Sequence, residues 1–129
     1  MIALDTSAIV AVALDEPERE KFREIILTQQ SLIGAPTLFE CHLVLRPNRD
    51  PRRFESFRRL IDRPHIRVEP FTGETYELAA TAFDRYGRGR HPAKLNFGDC
   101  MAYAVAKAHG VPLLYKGTDF AETDIASAA

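Results

Sequence analysis

The 129-residue chain contains no apolar run approaching the roughly 20 residues that a membrane span needs. Its first residues, Met1-Ile-Ala-Leu-Asp5, put an acid where a signal peptide carries basic residues and then a hydrophobic stretch. The expectation is a soluble, cytoplasmic protein with no membrane association. Cysteine is scarce as well. Cys41 and Cys100 sit in apolar helical contexts and form no CxxC pair, so buried free thiols are expected rather than a disulfide or a thiolate metal site. The four histidines, His42, His65, His91 and His109, show no HxxxH or mixed Cys/His ligand spacing, which argues against zinc. Internal repeats, low-complexity tracts and linkers are missing too. A hydrophobic content of 46% over this length suits one domain, residues 1–129, with a core of its own.

The net charge of −1 conceals an uneven distribution. Arginine far outnumbers lysine, and most of the arginines fall between Arg46 and Arg90. The candidate acids lie outside this basic middle. Such a basic surface beside an acidic pocket fits a phosphate-backbone ligand cut with the help of a metal. Solvated charged faces on helices are the alternative account.

Strands and helices alternate along the chain. Ile2-Ala-Leu4 reads as a strand that stops at Asp5-Thr6-Ser7, with a helix over 8–14. Thr6 or Ser7 is a candidate cap for that helix, and either hydroxyl could instead face an ion or its water. A second helix is expected over 17–30, with Phe22, Ile25 and Ile26 on its apolar face, then a strand over 31–34. Pro36 opens a helix that carries Glu40 and Cys41 among apolar neighbours and ends early at Pro47. Asp50-Pro51 starts the next helix, with Phe54, Phe57, Leu60 and Ile61 facing inward. A strand over 65–71 follows. Thr72 caps a helix to about Tyr86 that packs through Tyr76, Ala79, Ala80 and Phe83. Gly87-Arg-Gly-Arg-His-Pro92 reads as a flexible basic loop, with Arg88 and Arg90 as candidate phosphate contacts. Asn96 caps the next helix, with Asp99 in the role that a capping box gives an acid. Met101, Ala104, Val105 and Ala108 form its apolar face, and Gly110 and Pro112 stop it. Val111 to Tyr115 reads as a buried strand, and residues 122–129 as a short strand or tail. This alternation predicts an α/β domain with a mainly parallel sheet.

The reading delivers four acids toward one edge. Asp5 and Asp119 follow strands, Asp99 opens a helix, and Glu40 lies one turn into another. In open parallel sheets, ligands bind outside the strands' C-terminal ends. Packed carboxylates repel: one like-charge pair at about 4 Å costs roughly 4 kcal/mol at an effective dielectric near 20. Protons or a divalent cation must offset that cost. Oxygen ligands without thiolate or imidazole favour Mg²⁺ or Mn²⁺ over zinc, and such ions support in-line displacement at phosphorus.

With these residues in place the chain resembles the PIN-domain ribonucleases, specifically the VapC-type toxins of bacterial toxin–antitoxin pairs. The motifs that carry the resemblance are Ile2-Ala-Leu-Asp-Thr-Ser-Ala-Ile9, the helix with Phe39-Glu40, and Gly87 to Cys100. Leu113-Leu-Tyr-Lys-Gly-Thr-Asp-Phe120 and Thr123-Asp-Ile125 complete them. The resemblance spans essentially the whole chain. It implies a PIN-like three-layer sandwich, with a central mainly parallel sheet flanked by helices. It also implies Mg²⁺-dependent cleavage of RNA, often a tRNA or an rRNA stem-loop. The implied partners are a second copy in a homodimer and a cognate VapB-type antitoxin, with a larger toxin–antitoxin assembly left open. By position, Asp5, Glu40, Asp99 and Asp119 match the family's acidic quartet. Asp5 and Asp99 would be direct metal ligands, and Glu40 and Asp119 would act through water or hold a second ion. Thr6, Thr118 and Asp124 are candidate outer groups, and Lys116 joins Arg88 and Arg90 as a candidate RNA contact. One departure is Pro47-Asn-Arg-Asp-Pro51, which interrupts a helix that many relatives continue in the region forming the antitoxin groove and dimer surface.

Two rivals stand beside this reading. An aspartyl-phosphate protein would use a strand-end Asp with Lys116, but a haloacid-dehalogenase-type phosphatase wants a second Asp where Ser7 stands. A receiver wants an acidic pair ending its first strand, and that pair is lacking. A catalytically silent PIN-like module that binds RNA or protein would have been free to lose these acids.

Overall fold

Four strands lie side by side, all parallel, in a computed structural model that describes all 129 residues. They are β1 (Ile2–Leu4), β2 (Ser31–Gly34), β3 (Ile66–Glu69) and β4 (Leu113–Leu114), in the order β3-β2-β1-β4. Alternation of side chains across the sheet divides the core in two. Ile2, Leu4, Ile33, Ile66 and Leu114 point into one layer, and Ala3, Leu32 and Leu113 into the other. Both faces are therefore buried along β1, β2 and β4, which is why these read as apolar runs, whereas the edge strand β3 leaves Arg67 and Val68 exposed.

The first layer is built from α1 (Thr6–Ala13), α2 (Arg19–Thr28), α3 (Ala35–Leu45) and α4 (Pro51–Ile61). The second holds α5 (Gly73–Tyr86) and α6 (Phe97–His109). The result is the expected three-layer arrangement with a parallel sheet at its centre. Strand order steps away from β1 through β2 to β3, and the chain then crosses to the opposite side of β1 to lay down β4. The reversal lies between β1 and β4, so a crevice opens outside their C-terminal ends.

Local signals set the helix ends. Asp50 caps α4, its Oδ1 accepting from the Arg52 N–H at 3.0 Å, with Pro51 in the first turn. Thr72 and Thr75 form a capping box on α5. Gly110 ends α6 at φ 61°, a left-handed conformation that glycine adopts without a Cβ penalty. The short link to β4 then places the N-terminus of α6 at the C-terminal edge of the sheet. β4 is shorter than expected. Pro112 offers no N–H, and beyond Leu114 the Lys116 N–H leaves the ladder and donates to Ser7 Oγ at 2.9 Å. The chain's tail adds a partial fifth strand: the Leu113 N–H donates to Ala126 O and the Ala128 N–H to Leu113 O, both at 2.9 Å.

Three expectations change. On α5 the buried residues are Thr75, Ala79, Ala82 and Tyr86, whereas Tyr76 and Phe83 are exposed. No element of the chain covers that side of the helix. α6 is buried over most of its circumference, from Gly98 to Ala106, because α5, the sheet and α3 all pack against it, while Ala108 is exposed. The basic loop is pinned rather than flexible. The Leu95 N–H donates to Tyr86 O and the Arg88 N–H to Leu95 O, closing its base, and Ala93 and Leu95 are buried beneath it. Both cysteines are buried and free, as expected.

Candidate active site

Asp5 is the last residue before α1 and caps it. Its Oδ2 accepts from the Ser7 N–H at 3.0 Å and from Ser7 Oγ at 2.5 Å. Neither Thr6 nor Ser7 is the cap. The Ser7 hydroxyl, while donating to Asp5, also accepts the Lys116 N–H, and so ties the ends of β1 and β4 together. The Thr6 hydroxyl crosses to α3 and donates to Glu40 Oε1. Asp5 is 5% exposed. Burial pushes its carboxyl above the ordinary range, the two Ser7 hydrogen bonds oppose the rise, and the negative charge of Glu40 adds to it.

Asp99 stands in the first turn of α6, fixed by the capping box anticipated from the sequence. Asn96 Oδ1 accepts from the Asp99 N–H at 2.9 Å, and Asp99 Oδ2 accepts from the Asn96 N–H at 3.1 Å. One carboxylate oxygen is thus tethered while the other stays available. Burial, and then the charges of Asp5, Asp119 and Glu40, push this carboxyl up to about 6 against the pull of the Asn96 amide. Each member of the quartet therefore acts on Asp99. Asp119 itself lies exposed in the short 3₁₀ turn Asp119–Glu122 that follows β4, and Thr118 precedes that turn with no side-chain cap bond.

Glu40 reaches this edge from the middle of α3, through a gap that only glycine leaves open. A Cβ on Gly98 would lie 2.3 Å from Glu40 Oε2 and 2.7 Å from Oε1. Gly98 is a site residue that the sequence reading passed over. The available signal was a glycine inside a helix, where it costs about 1 kcal/mol relative to alanine without a local reason. Cys41, next along α3, lies beneath the acids, and burial pushes its thiol up to about 12, so it stays protonated.

The other candidates divide. Asp124 is not brought to the acids. It accepts from Tyr103 Oη at 2.7 Å and from Lys107 Nζ at 2.5 Å, farther along α6. It is an anchor of the C-terminal tail rather than an outer group of the quartet. Lys116 lies near the edge, but its ammonium is engaged by Glu16 at 3.1 Å and Glu18 at 3.4 Å. Arg88 and Arg90 are exposed without a carboxylate partner, and the Arg90 guanidinium rests 5.7 Å over the Phe83 ring.

The donors suit a hard divalent cation: carboxylates and hydroxyls reach the edge, and no imidazole or thiolate does. No three ligating side chains are already drawn into a cage, since Ser7, Thr6 and Asn96 each satisfy one acid locally. Burial first, and repulsion between carboxylates that no counter-ion relieves second, raise the carboxyls of Asp5 and Asp99. Beside the acids, apolar surface flanks Phe97, which is 77% exposed. One trough runs past Phe71, Tyr76 and Phe83, and another past Phe39, Leu43 and Glu40.

The signature described as the PIN domain matches residues 2–126. Over 124 residues the chain is 39% identical to the Mycobacterium tuberculosis protein named Ribonuclease VapC28, covering 95% of this chain and 93% of the relative. Ribonuclease VapC36 of the same organism is 40% identical over 124 residues, covering 95% and 89%. Among solved structures, Mycobacterium tuberculosis VapC20, described as a Sarcin-Ricin loop cleaving toxin, superposes with a TM-score of 0.79 at 17% identity, covering 99% and 98%. VapBC2 from Rickettsia felis, bound to a DNA fragment from their promoter, gives a TM-score of 0.73 at 13% identity, covering 98% and 96%. At those identities the structural likeness speaks for the fold.

Proposed function

The chain belongs to the PIN-domain family as a VapC-type ribonuclease, and from that premise we propose that Asp5, Glu40, Asp99 and Asp119 are its catalytic edge. The cation is Mg²⁺, with Mn²⁺ able to replace it, and the substrate is a cellular RNA such as a tRNA or an rRNA stem-loop. The single observation that carries this reading is the Asp99 carboxyl, pushed up to about 6 by burial and by three other acids at the mouth of the β1/β4 crevice. When bound, the cation lowers the pKa of an attacking water and neutralises charge on the scissile phosphate and the leaving oxygen.

The chain's own residues divide the remaining work. Asp5 and Asp99 hold the ion directly, Asp99 through the oxygen that the Asn96 amide leaves available. Glu40, aimed by the Thr6 hydroxyl, orients water on one side, and Asp119 does so from the exposed side of the cleft mouth that Thr118 borders. Arg88 and Arg90 contact the RNA backbone, which their exposure and lack of carboxylate partners support. Lys116 has a weaker claim, because Glu16 and Glu18 already compensate its charge.

Two protein partners belong to the proposal. The apolar troughs around Phe97 support a homodimer packed beside the acids, since so much exposed aromatic surface is costly in an isolated chain. A VapB-type antitoxin is supported by the similarity to VapBC2 and to a toxin–antitoxin complex from Klebsiella pneumoniae. It would neutralise the edge by placing a cationic side chain, an arginine, among the carboxylates, and two such toxin–antitoxin pairs joined through the dimer surface would form a larger assembly. The site of action is the cytoplasm, and no helix is long and apolar enough to cross a membrane.

The test is cleavage of total cellular RNA by the purified protein with Mg²⁺, with excess EDTA, and beside Asp99→Asn. A discrete product that needs both the metal and Asp99 is expected. Cleavage undiminished in EDTA, or in both Asp5→Asn and Asp99→Asn, overturns the assignment. Intact RNA together with no calorimetric Mg²⁺ binding would favour the silent binding module instead.

A further inference from the structure

Away from the acids, at the other end of α1, a cleft of about 410 Å³ opens between α1, the start of α2 and α4. A smaller recess of about 140 Å³ shares Val12, Arg19, Ser56 and Arg59 with it. Together they gather six arginines, Arg19, Arg23, Arg52, Arg53, Arg59 and Arg63, against two aspartates, Asp15 and Asp50. That concentration of positive charge stands in a protein whose net charge is −1. Asp15 and Asp50 are taken up by Arg19 and Arg52, and Arg53 Nη1 donates to Ala13 O at 3.4 Å. Arg23, Arg59 and Arg63 engage no carboxylate, so three guanidinium groups remain available for an outside anion.

We propose that this arginine-lined cleft is a second RNA-backbone site, which grips the substrate strand on one side of the catalytic edge. The inference rests on the ribonuclease reading and adds to it a place where substrate is held apart from the place where it is cut. The lining favours phosphate over a protein ligand. Only two of the nine residues around the larger cleft are hydrophobic, so a peptide would find few apolar anchors. Guanidinium forks match phosphate oxygens in pairs, and nucleic-acid interfaces are polar and wet. The two regions are also connected. Asp5 is bonded to Ser7, Ser7 to Lys116, and Lys116 to Glu16, which adjoins the Asp15–Arg19 pair at the cleft. The eight residues of α1 separate them by about 12 Å, close to four stacked nucleotides at 3.4 Å each. The repulsion that RNA phosphates meet at four carboxylates makes a remote cationic grip useful to binding.

The experiment measures RNA affinity against salt in the cleavage-silent Asp99→Asn protein, using a mixed-sequence RNA of about 30 nucleotides. Arg23→Ala/Arg59→Ala/Arg63→Ala is expected to weaken binding of this RNA at least about tenfold at low salt, and to flatten the salt slope by about 2, near 0.7 for each lost single-strand phosphate contact. Lysine at the same three positions is expected to restore most of the slope, which separates lost charge from disturbed packing. In the otherwise unsubstituted protein the same triple variant is expected to raise KM with kcat kept. An unchanged slope on this RNA overturns the proposal. A fall in affinity for the antitoxin with RNA binding intact would assign the cleft to an acidic segment of that partner and overturn it too. Absence of cleavage by the unsubstituted protein would mark failure of the ribonuclease reading itself, a separate result from an unchanged slope.

Discussion

Helix α1 joins two charged regions built on opposite terms. At its N-terminal end, carboxylates are brought from four segments of the chain to one edge, and burial and mutual repulsion push Asp5 and Asp99 upward. At its C-terminal end, arginines line an open cleft, and three of them are left without a carboxylate. Asp5, Glu40 and Asp99 are held in place by Ser7, Thr6, Asn96 and the bare Cα of Gly98. The arginines are long, flexible and close to water. The contrast is between chemistry and grip. A reaction at phosphorus needs fixed geometry, whereas attraction of a polyanion needs charge in roughly the right place. Substitutions should therefore be felt sharply at one end and gradually at the other.

The sharpest test of that difference is Gly98→Ala. Alanine is the better helix former, so the backbone gains nothing from the glycine. The added Cβ would fall 2.3 Å from Glu40 Oε2, which forces the carboxylate away and strains its bond from Thr6. Single-turnover RNA cleavage is expected to fall about a hundredfold, the scale that a misplacement near 1 Å produces. Thermal unfolding should show an intact fold. Full activity in this variant would mean that the edge tolerates displacement as the cleft does, and the comparison would break.

A smaller effect comes from the charge that the edge carries without a cation. The folded Asp99 carboxyl titrates at about 6, against an ordinary value of 3.8. Between those values the native protein holds a proton that the unfolded chain has released. Stability from this group is therefore fully present below pH 3.8 and is lost as pH rises through about 6. Asp99→Asn keeps an acceptor for the Asn96 amide and does not suffer the loss. Above pH 6 it should be more stable than the parent by roughly 1–2 kcal/mol after allowance for screening at a partly exposed group, with the difference fading below pH 4. Urea unfolding across pH measures this. Saturating Mg²⁺ should narrow the gap at neutral pH by stabilising the parent. A gap independent of pH would contradict burial and carboxylate repulsion as its cause.

The order of elements was legible because each carries a local signal. Buried strands are short apolar runs, and Asp50-Pro51, Thr72, Asn96 and Gly110 mark helix ends by their own hydrogen-bonding or backbone preferences. The quartet was legible because Asp5, Asp99 and Asp119 sit at element ends, where topology alone delivers them to one edge. Tyr76 and Phe83 were misread for an opposite reason. Periodicity identifies an apolar face, but whether the chain itself covers that face is a property of the whole fold. Gly98 was passed over because its role lies in the space it leaves for Glu40, a residue far earlier in the chain. The arginine cleft was equally hidden, since α2 and α4 each show an ordinary charged face and only their packing across α1 brings the two together.

The least effect on activity is expected at Asp124, and it sharpens the boundary of the proposed catalytic edge. Position along the chain grouped this residue with the acids, yet its carboxylate is engaged by Tyr103 and Lys107. Burial raises its carboxyl, but those two hydrogen bonds together with the charges of Lys107 and Arg85 outweigh the effect and hold it below the ordinary range. Asp124→Asn keeps the shape and removes the charge. It is expected to cost about 1 kcal/mol of stability, as its two charge-assisted hydrogen bonds weaken, while leaving cleavage within about twofold. Tyr103→Phe should behave the same way, because it removes the other half of the same contact. Combining the two should then cost less than the sum of the single losses, as expected for partners in one bond. If instead either variant lost cleavage at unchanged stability, Asp124 would act on the reaction through Tyr103, which stands one turn beyond Asp99 on α6, and the edge would extend farther down that helix than its four acids.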